Sequence, residues 1–116
     1  MNKNDKSMFE RKEYFSSLLS LYGELLPKTI KERMMMFYLD DYSITEIAQN
    51  ENVSRTAIFE SIKTGESKLD EYESKLKMVK FKYDVLKHIE EISNTEKSEE
   101  KNQLLEKWKG EIENGI

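Results

Sequence analysis

The sequence of 116 residues contains no cysteine, a single proline and a single histidine, His88. Without cysteine neither a disulfide nor a thiolate metal site can form, and one histidine cannot build a histidine metal site. No apolar run approaches the roughly 20 residues that a membrane-spanning helix needs, and no signal peptide is recognisable at the N-terminus. We therefore expect no membrane insertion, no bound cofactor and a cytoplasmic location.

Charge, in contrast, is abundant and unevenly distributed. Charged residues make up 36% of the chain, and the net charge is -4. Residues 84–116 contain nine acidic and five basic side chains, whereas residues 55–82 contain seven basic and five acidic ones. A polyanionic partner is therefore expected to contact the middle of the chain rather than its C-terminal part.

The stretch 43–63 has the pattern of a helix-turn-helix. Ser43 is suited to the N-cap of a first helix, and Glu46, three residues later, completes a capping box. Asn52 falls at the turn, where a positive φ angle is common and asparagine tolerates it. Ser54 is suited to the N-cap of the second helix, which this pattern makes the recognition helix.

Apolar residues at helical spacing supply the expected core of this motif. Ala48 is small enough for the two helices to cross closely, and Val53 is expected to fill the angle between them. Turns of known helix-turn-helix families typically have an apolar residue where Glu51 stands, so we expect a looser turn or a solvent-facing Glu51. The predicted core residues are Ile47, Ala48, Val53, Ile58 and Ile62.

This motif and the residues before it resemble region 4 of bacterial sigma factors. The shared positions are Leu26-Pro27, Met35-Met36-Phe37-Tyr38, Asp41 to Ala48 and Val53 to Ile58. The chain is also similar to the YlxM-like family of small bacterial proteins over residues 14–83, including the tracts 40–43 and 70–76. That resemblance implies long C-terminal helices after the motif and a link to the signal recognition particle, with its RNA or its GTPase as partner.

The periodicity of apolar residues predicts an all-α fold without strands. We expect a frayed tail at residues 1–7 and a helix-turn-helix core at residues 8–64. Residues 65–92 are expected to continue the recognition helix as one long helix, bent or broken at Gly65, because no other helix breaker interrupts the pattern. Residues 93–116 are expected to form a C-terminal helix.

The predicted long helix carries apolar residues with a period near 3.5 residues, which is typical of a seam against another helix. The C-terminal helix has only a narrow apolar face around Trp108, which we expect to pack on Tyr83 or Leu86. The seam is therefore expected to join two copies of the chain in a homodimer, and folding back within one chain is the alternative. Its residues are Leu69, Tyr72, Leu76, Val79, Tyr83 and Leu86.

No residue pattern indicates catalysis, because no acid is paired with a nucleophile, a metal-binding set or a glycine-rich loop. A helix-turn-helix contacts nucleic acid through the N-terminal residues of its second helix, although Glu60 weakens that face here. The candidate nucleic-acid-binding residues are Ser54, Arg55, Thr56, Lys63, Lys28 and Arg33. Three hypotheses follow: a regulator in the signal recognition particle pathway that binds nucleic acid or a particle protein, a DNA-binding transcription regulator, and a protein-interaction module that keeps only the fold.

Overall fold

The computed structural model describes residues 3–114, with side chains described from Glu10 onward. Within this range the chain forms six α-helices, one turn of 3-10 helix and no strand, which confirms the all-α prediction. None of these helices is both long and apolar enough to cross a membrane. The helices are α1 (Lys3–Tyr22), α2 (Lys28–Tyr38), α3 (Ile44–Glu51), α4 (Arg55–Leu76), α5 (Met78–Ser93) and α6 (Ser98–Glu113), and the 3-10 turn is Gly23–Leu25.

The expected frayed tail at residues 1–7 falls mostly on the start of α1. Met1 and Asn2 lie outside the described residues, and the backbone is helical from Lys3. The chain divides into two compact units, one ending at Lys77 and one beginning at Met78. The first unit therefore extends past residue 64, where the sequence led us to end the helix-turn-helix core.

In the first unit, α4 packs against α1, α2 and α3. Each of these helices contributes at least one side chain that is fully enclosed, and burial of such a side chain contributes about 1.5–3 kcal/mol relative to an exposed one. The buried positions on α4 recur every three or four residues from Ile58 to Leu69, as expected for a helix with one face in a core. The largest fully buried side chains are Leu18, Met34, Ile47, Ile58 and Leu69.

The prediction of one helix across residues 65–92 is wrong, because α4 ends at Leu76 and α5 begins at Met78. The interruption is at Lys77, whose φ of 53° and ψ of 34° are left-handed, and not at Gly65. Gly65 is instead buried inside α4, where α2 passes so close that an added Cβ would lie 2.7 Å from the Sδ atom of Met34. A lysine in the left-handed region is uncommon, which explains why the sequence pattern did not reveal the break.

The predicted seam is not continuous. Leu69 is fully buried in the first unit, and the Tyr72 hydroxyl donates a hydrogen bond to the Leu25 carbonyl at 3.3 Å. Leu76, at the end of α4, is 54% exposed. Leu69 and Tyr72 therefore make contacts within the first unit, whereas Leu76 is not enclosed there. The part of the seam after the break lies on a separate helix and consists of Val79, Tyr83 and Leu86.

Polar contacts, absent from the sequence-based expectations, also join α1 to α4. The Tyr14 hydroxyl donates to Asp70 Oδ1 at 2.7 Å, and the Tyr22 hydroxyl donates to Glu73 Oε1 at 2.6 Å. Burial raises the pKa of Tyr14 to about 12, and the hydrogen bond to Asp70 contributes to the same shift. These acidic residues of α4 therefore pack against α1 and are not simply solvated charges.

The second unit is a pair of helices, α5 and α6, joined by residues 94–97. Trp108 is buried, and its ring stacks on His88 with 4.3 Å between centroids and an interplanar angle of 11°. The expected packing of Trp108 on Tyr83 or Leu86 is replaced by this stack, since both of those side chains are exposed. His88, to which the sequence assigned no role, is therefore a structural contact of this unit.

Candidate nucleic-acid interface

The helix-turn-helix is built by two serine caps. The Ser43 Oγ accepts a hydrogen bond from the Glu46 N–H at 3.0 Å, and Glu46 Oε1 accepts one from the Ser43 N–H at 3.1 Å. This is the predicted capping box at the start of α3. At the start of α4, the Ser54 Oγ accepts from the Ala57 N–H at 3.0 Å. Both helix starts are thus fixed by residues within three positions of the cap.

The turn between α3 and α4 is tight. Asn52 has φ 56° and ψ 47°, as expected from its place in the turn, and the Val53 N–H donates to the Ala48 carbonyl at 3.0 Å. This hydrogen bond and the left-handed Asn52 close the end of α3 in the manner of a Schellman motif. Ala48 and Ile47 are buried as predicted, but Val53 is 39% exposed. Val53 is therefore not an enclosed core residue, in contrast to the prediction that it fills the angle between the helices.

Arg33 does not have the exposed position that the sequence suggested. Its guanidinium binds Glu51 with Nε at 3.1 Å and Nη2 at 3.0 Å from Oε1, and its Nη1 donates to the Ser61 Oγ at 2.7 Å. The Arg33 side chain is only 14% exposed. Arg33 is thus a partly buried link between α2, the end of α3 and α4, and Glu51 is its partner rather than a residue that loosens the turn. Paired planar geometry of this kind is the strong form of an arginine–carboxylate contact.

The other candidate binding residues remain accessible, but the structure does not bring all of them together. Arg55 and Thr56 line a shallow cleft of about 440 Å³ with Ile44 and Phe59. Lys28 is exposed at the start of α2 and lines neither this cleft nor the one beside it.

A second cleft of about 450 Å³ lies beside the first, and Phe59 lines both. Its walls include Lys63 from α4, Lys12 from α1, and the exposed ring of Tyr42 from the segment before α3. The Nζ of Lys63 lies 5.5 Å from the centroid of the Phe59 ring. Sequence reasoning did not single out Phe59, Tyr42 or Lys12, because the exposure of a side chain on an amphipathic helix depends on how that helix is rotated toward the core.

Beneath this cleft lies a buried carboxylate, Glu66, which holds α1, α2 and α4 together. Glu66 Oε2 accepts hydrogen bonds from Arg11 Nη2 at 2.9 Å and from the buried Tyr38 hydroxyl, and Lys63 Nζ lies 3.7 Å from Oε1. Burial raises the pKa of Tyr38, and the hydrogen bond to Glu66 adds to the shift. The Tyr38 hydroxyl therefore keeps its proton and serves as a donor.

The described side chains include no cluster of histidine and acidic groups that could hold a metal ion. The two clefts are shallow and contain no nucleophile paired with a base. The helix-turn-helix and the segment before it offer an exposed surface with the cations Arg55 and Lys63 and the rings of Phe59 and Tyr42, and the acids Asp41, Glu46 and Glu60 are exposed there as well. Such a surface is suited to binding a partner.

Comparison with known proteins agrees with this geometry. Residues 9–110 match the model of the UPF0122 family, which is described as "Putative helix-turn-helix protein, YlxM / p13 like". A UPF0122 protein of Listeria welshimeri is 45% identical over 73 residues, which are 63% of this chain and 66% of that protein. The chain thus spans just under two thirds of the length of this relative.

Two further relatives come from other bacteria. A UPF0122 protein of Malacoplasma penetrans is 40% identical over 74 residues, which are 64% of this chain and 68% of that protein. A UPF0122 protein of Fusobacterium nucleatum is 35% identical over 91 residues, which are 78% of this chain and 88% of that protein. With its capped helix-turn-helix and a family match that covers most of its length, this chain belongs to the UPF0122 family of YlxM / p13-like helix-turn-helix proteins.

Proposed function

We propose that the protein is a non-enzymatic regulator that binds nucleic acid through the N-terminal half of α4. The observation that carries this proposal is the exposure of Arg55, Thr56 and Lys63 on the second helix of a doubly capped helix-turn-helix. In that motif these positions meet the nucleic acid. The Ser54 Oγ accepts the capping hydrogen bond and keeps its own proton for a phosphate oxygen.

The surface charge argues for modest affinity. Arg33, which would have added a third cation, is engaged by Glu51, and Glu60 places an exposed carboxylate between Arg55 and Lys63. Sequence-independent affinity comes mainly from cations that displace counterions from phosphates. We therefore expect weak binding that falls steeply with salt.

The finer assignment, a role in the signal recognition particle pathway, rests on the sequence resemblance described above. Under this assignment the target is the particle's RNA or a particle protein. The alternatives are regulation of transcription at a DNA site and a role in protein interaction alone. Binding to the particle RNA, to duplex DNA and to the particle protein is to be measured over a series of salt concentrations. A nucleic-acid contact weakens steeply as salt rises, whereas an apolar protein contact does not.

The first test removes the two cations singly. Arg55→Ala and Lys63→Ala should each weaken nucleic-acid binding at low salt and should each lower the slope of log K against log salt by roughly 1. Glu60→Lys should strengthen binding, because it replaces a repulsive charge with an attractive one.

The matched controls are Lys107→Ala and Glu106→Lys, which change the net charge equally at exposed positions of α6. They should alter binding little. If the α4 variants bind like these controls, the nucleic-acid face is not on α4.

The proposal also includes a homodimer, now through the second unit rather than through the seam predicted from sequence. The support is an open groove of about 550 Å³ between α5 and α6, lined mainly by apolar side chains. Ile89, Leu105 and Ile112 in this groove are 54%, 49% and 56% exposed, and helix-turn-helix proteins commonly act as two-fold dimers. The apolar side chains of the groove are Val85, Ile89, Ile92, Leu105, Trp108 and Ile112.

Sedimentation equilibrium is expected to give twice the chain mass of 13.8 kDa at micromolar concentration. Ile89→Asp should return the protein to the monomer mass, because it places an unpaired charge in the groove. Asn94→Asp adds the same charge at an exposed position and should leave the dimer intact. A mass of 13.8 kDa at every concentration would exclude the dimer.

A further inference from the structure

Phe59 is an exposed aromatic ring at the centre of the proposed binding face. Phe59 is the fifth residue of α4 and is 49% exposed. Arg55 precedes it by four residues and Lys63 follows it by four, so the three side chains lie on one face of the helix. Phe59 thus presents a flat apolar surface with a cation one turn away on either side.

A duplex makes little use of such a ring. Base edges in the major groove are read mainly by hydrogen-bonding side chains, and a phenyl ring finds there only the methyl group of thymine. Unpaired bases, in contrast, expose their faces and stack on aromatic side chains, while nearby cations neutralise the adjacent phosphates. The combination of Arg55, Phe59 and Lys63 matches the second kind of ligand.

The second cleft strengthens this interpretation. It places the exposed Tyr42 ring and the Lys12 ammonium group on the same concave surface as Phe59 and Lys63. Each of these two ammonium groups also lies beside a carboxylate: Lys12 pairs with Asp41, and Lys63 Nζ is 3.7 Å from Oε1 of Glu66, whose Oε2 is held by Arg11 and Tyr38. Two exposed rings and two cations therefore line one cleft of about 450 Å³.

We infer that the ligand of this face is an unpaired stretch of nucleic acid, with one base stacked on Phe59 and its flanking phosphates bound by Arg55 and Lys63. This inference rests on the proposed nucleic-acid-binding function and names the form of nucleic acid that the face binds. Tyr42 stacks the neighbouring base. Glu60 is tolerated because a single strand can pass beside it, whereas the two phosphate rows of a groove cannot both avoid it.

The experiment measures fluorescence anisotropy of labelled twelve-residue oligonucleotides at low salt. The probes are single-stranded RNA, single-stranded DNA of the same sequence, and the corresponding DNA duplex. The single strands should bind more tightly than the duplex, and a difference between RNA and DNA will identify which of the two sugars the cleft prefers.

Variants of Phe59 then isolate the stacking contact. Phe59→Ala should weaken single-strand binding roughly 5- to 150-fold, as for the loss of one stacked base. Phe59→Leu, which keeps apolar bulk without a π-face, should weaken it similarly, whereas Phe59→Trp should retain it. Since Phe59 is exposed, all three variants should keep the thermal melt of the unaltered protein.

The outcomes separate this inference from the function on which it rests. If the duplex binds through Arg55 and Lys63 and the Phe59 variants change nothing, the unpaired-strand inference is overturned while nucleic-acid binding stands. If Phe59→Leu binds single strands as tightly as the unaltered protein, stacking is likewise excluded. If none of the three probes binds, both proposals fail.

Discussion

Replacing Gly65 by valine is expected to lower the free energy of unfolding of the first unit by about 3 kcal/mol, the upper end of the usual cost of overpacking a core. A Cβ at this position would lie 2.7 Å from Sδ and 2.8 Å from Cγ of Met34, and 3.0 Å from Cγ2 of Ile30. Met34 is completely buried, so it has little space into which to move. The clash must therefore be relieved by separating α2 from α4.

Chemical denaturation followed by tyrosine near-ultraviolet circular dichroism measures this loss. The matched control is Ser67→Val, which introduces the same branched side chain at an exposed position of the same helix. It should cost only the few tenths of a kcal/mol that valine loses in helix propensity. Equal denaturation midpoints for the two variants would mean that α2 and α4 do not approach closely at Gly65.

Replacing Glu66 by alanine is expected to destabilise the first unit by a similar amount, about 3 kcal/mol, the upper end of the cost of leaving a buried polar group without its partner. The Tyr38 hydroxyl is buried and would be left without its acceptor, which is a costly state for a polar group. Arg11 adds less to the loss, because its side chain is 53% exposed and can be rehydrated.

A double-mutant cycle with Tyr38→Phe tests this explanation. In the Glu66→Ala background, Tyr38→Phe should restore part of the lost stability, because it removes the hydroxyl that has no partner. Glu71→Ala is the control on the same helix: Glu71 is exposed and forms a surface ion pair with Lys75, so the melt should hardly move. If Tyr38→Phe instead lowers the free energy of unfolding by the same amount in both backgrounds, the Tyr38 hydroxyl and the Glu66 carboxylate are not energetically coupled.

The failures to predict the polar pairs share one physical cause, which is distance along the chain. Arg33 and Glu51 are 18 residues apart, and Tyr38 and Glu66 are 28 apart. In the sequence each of these polar side chains is indistinguishable from a solvated one, since pairing depends on which helices become neighbours. For this reason the sequence suggested an exposed Arg33 on a nucleic-acid face, whereas the structure pairs Arg33 with Glu51.

The candidate face was predicted only in part for a related reason. The sequence located Arg55, Thr56 and Lys63 on the recognition helix, and these positions are exposed in the structure. The role now proposed for Phe59 could not be predicted, because it depends on how α4 is rotated about its own axis. Burial of Ile58, Ile62 and Leu69 fixes that rotation. With these side chains in the core, Phe59 is exposed to solvent.

By itself, the sequence determined the helical class, the helix-turn-helix and its two caps, because these features depend on side chains within about four residues of one another. Ser43 with Glu46, Asn52 and Ser54 all act over such short distances. Only the tertiary structure decided where the long helix ends, which face of α4 is exposed and which charges are buried. The left-handed Lys77, the inward Glu66 and the enclosed Arg33 carry no local signal, since the free energy that holds each of them comes from distant parts of the chain or from the packing of whole helices.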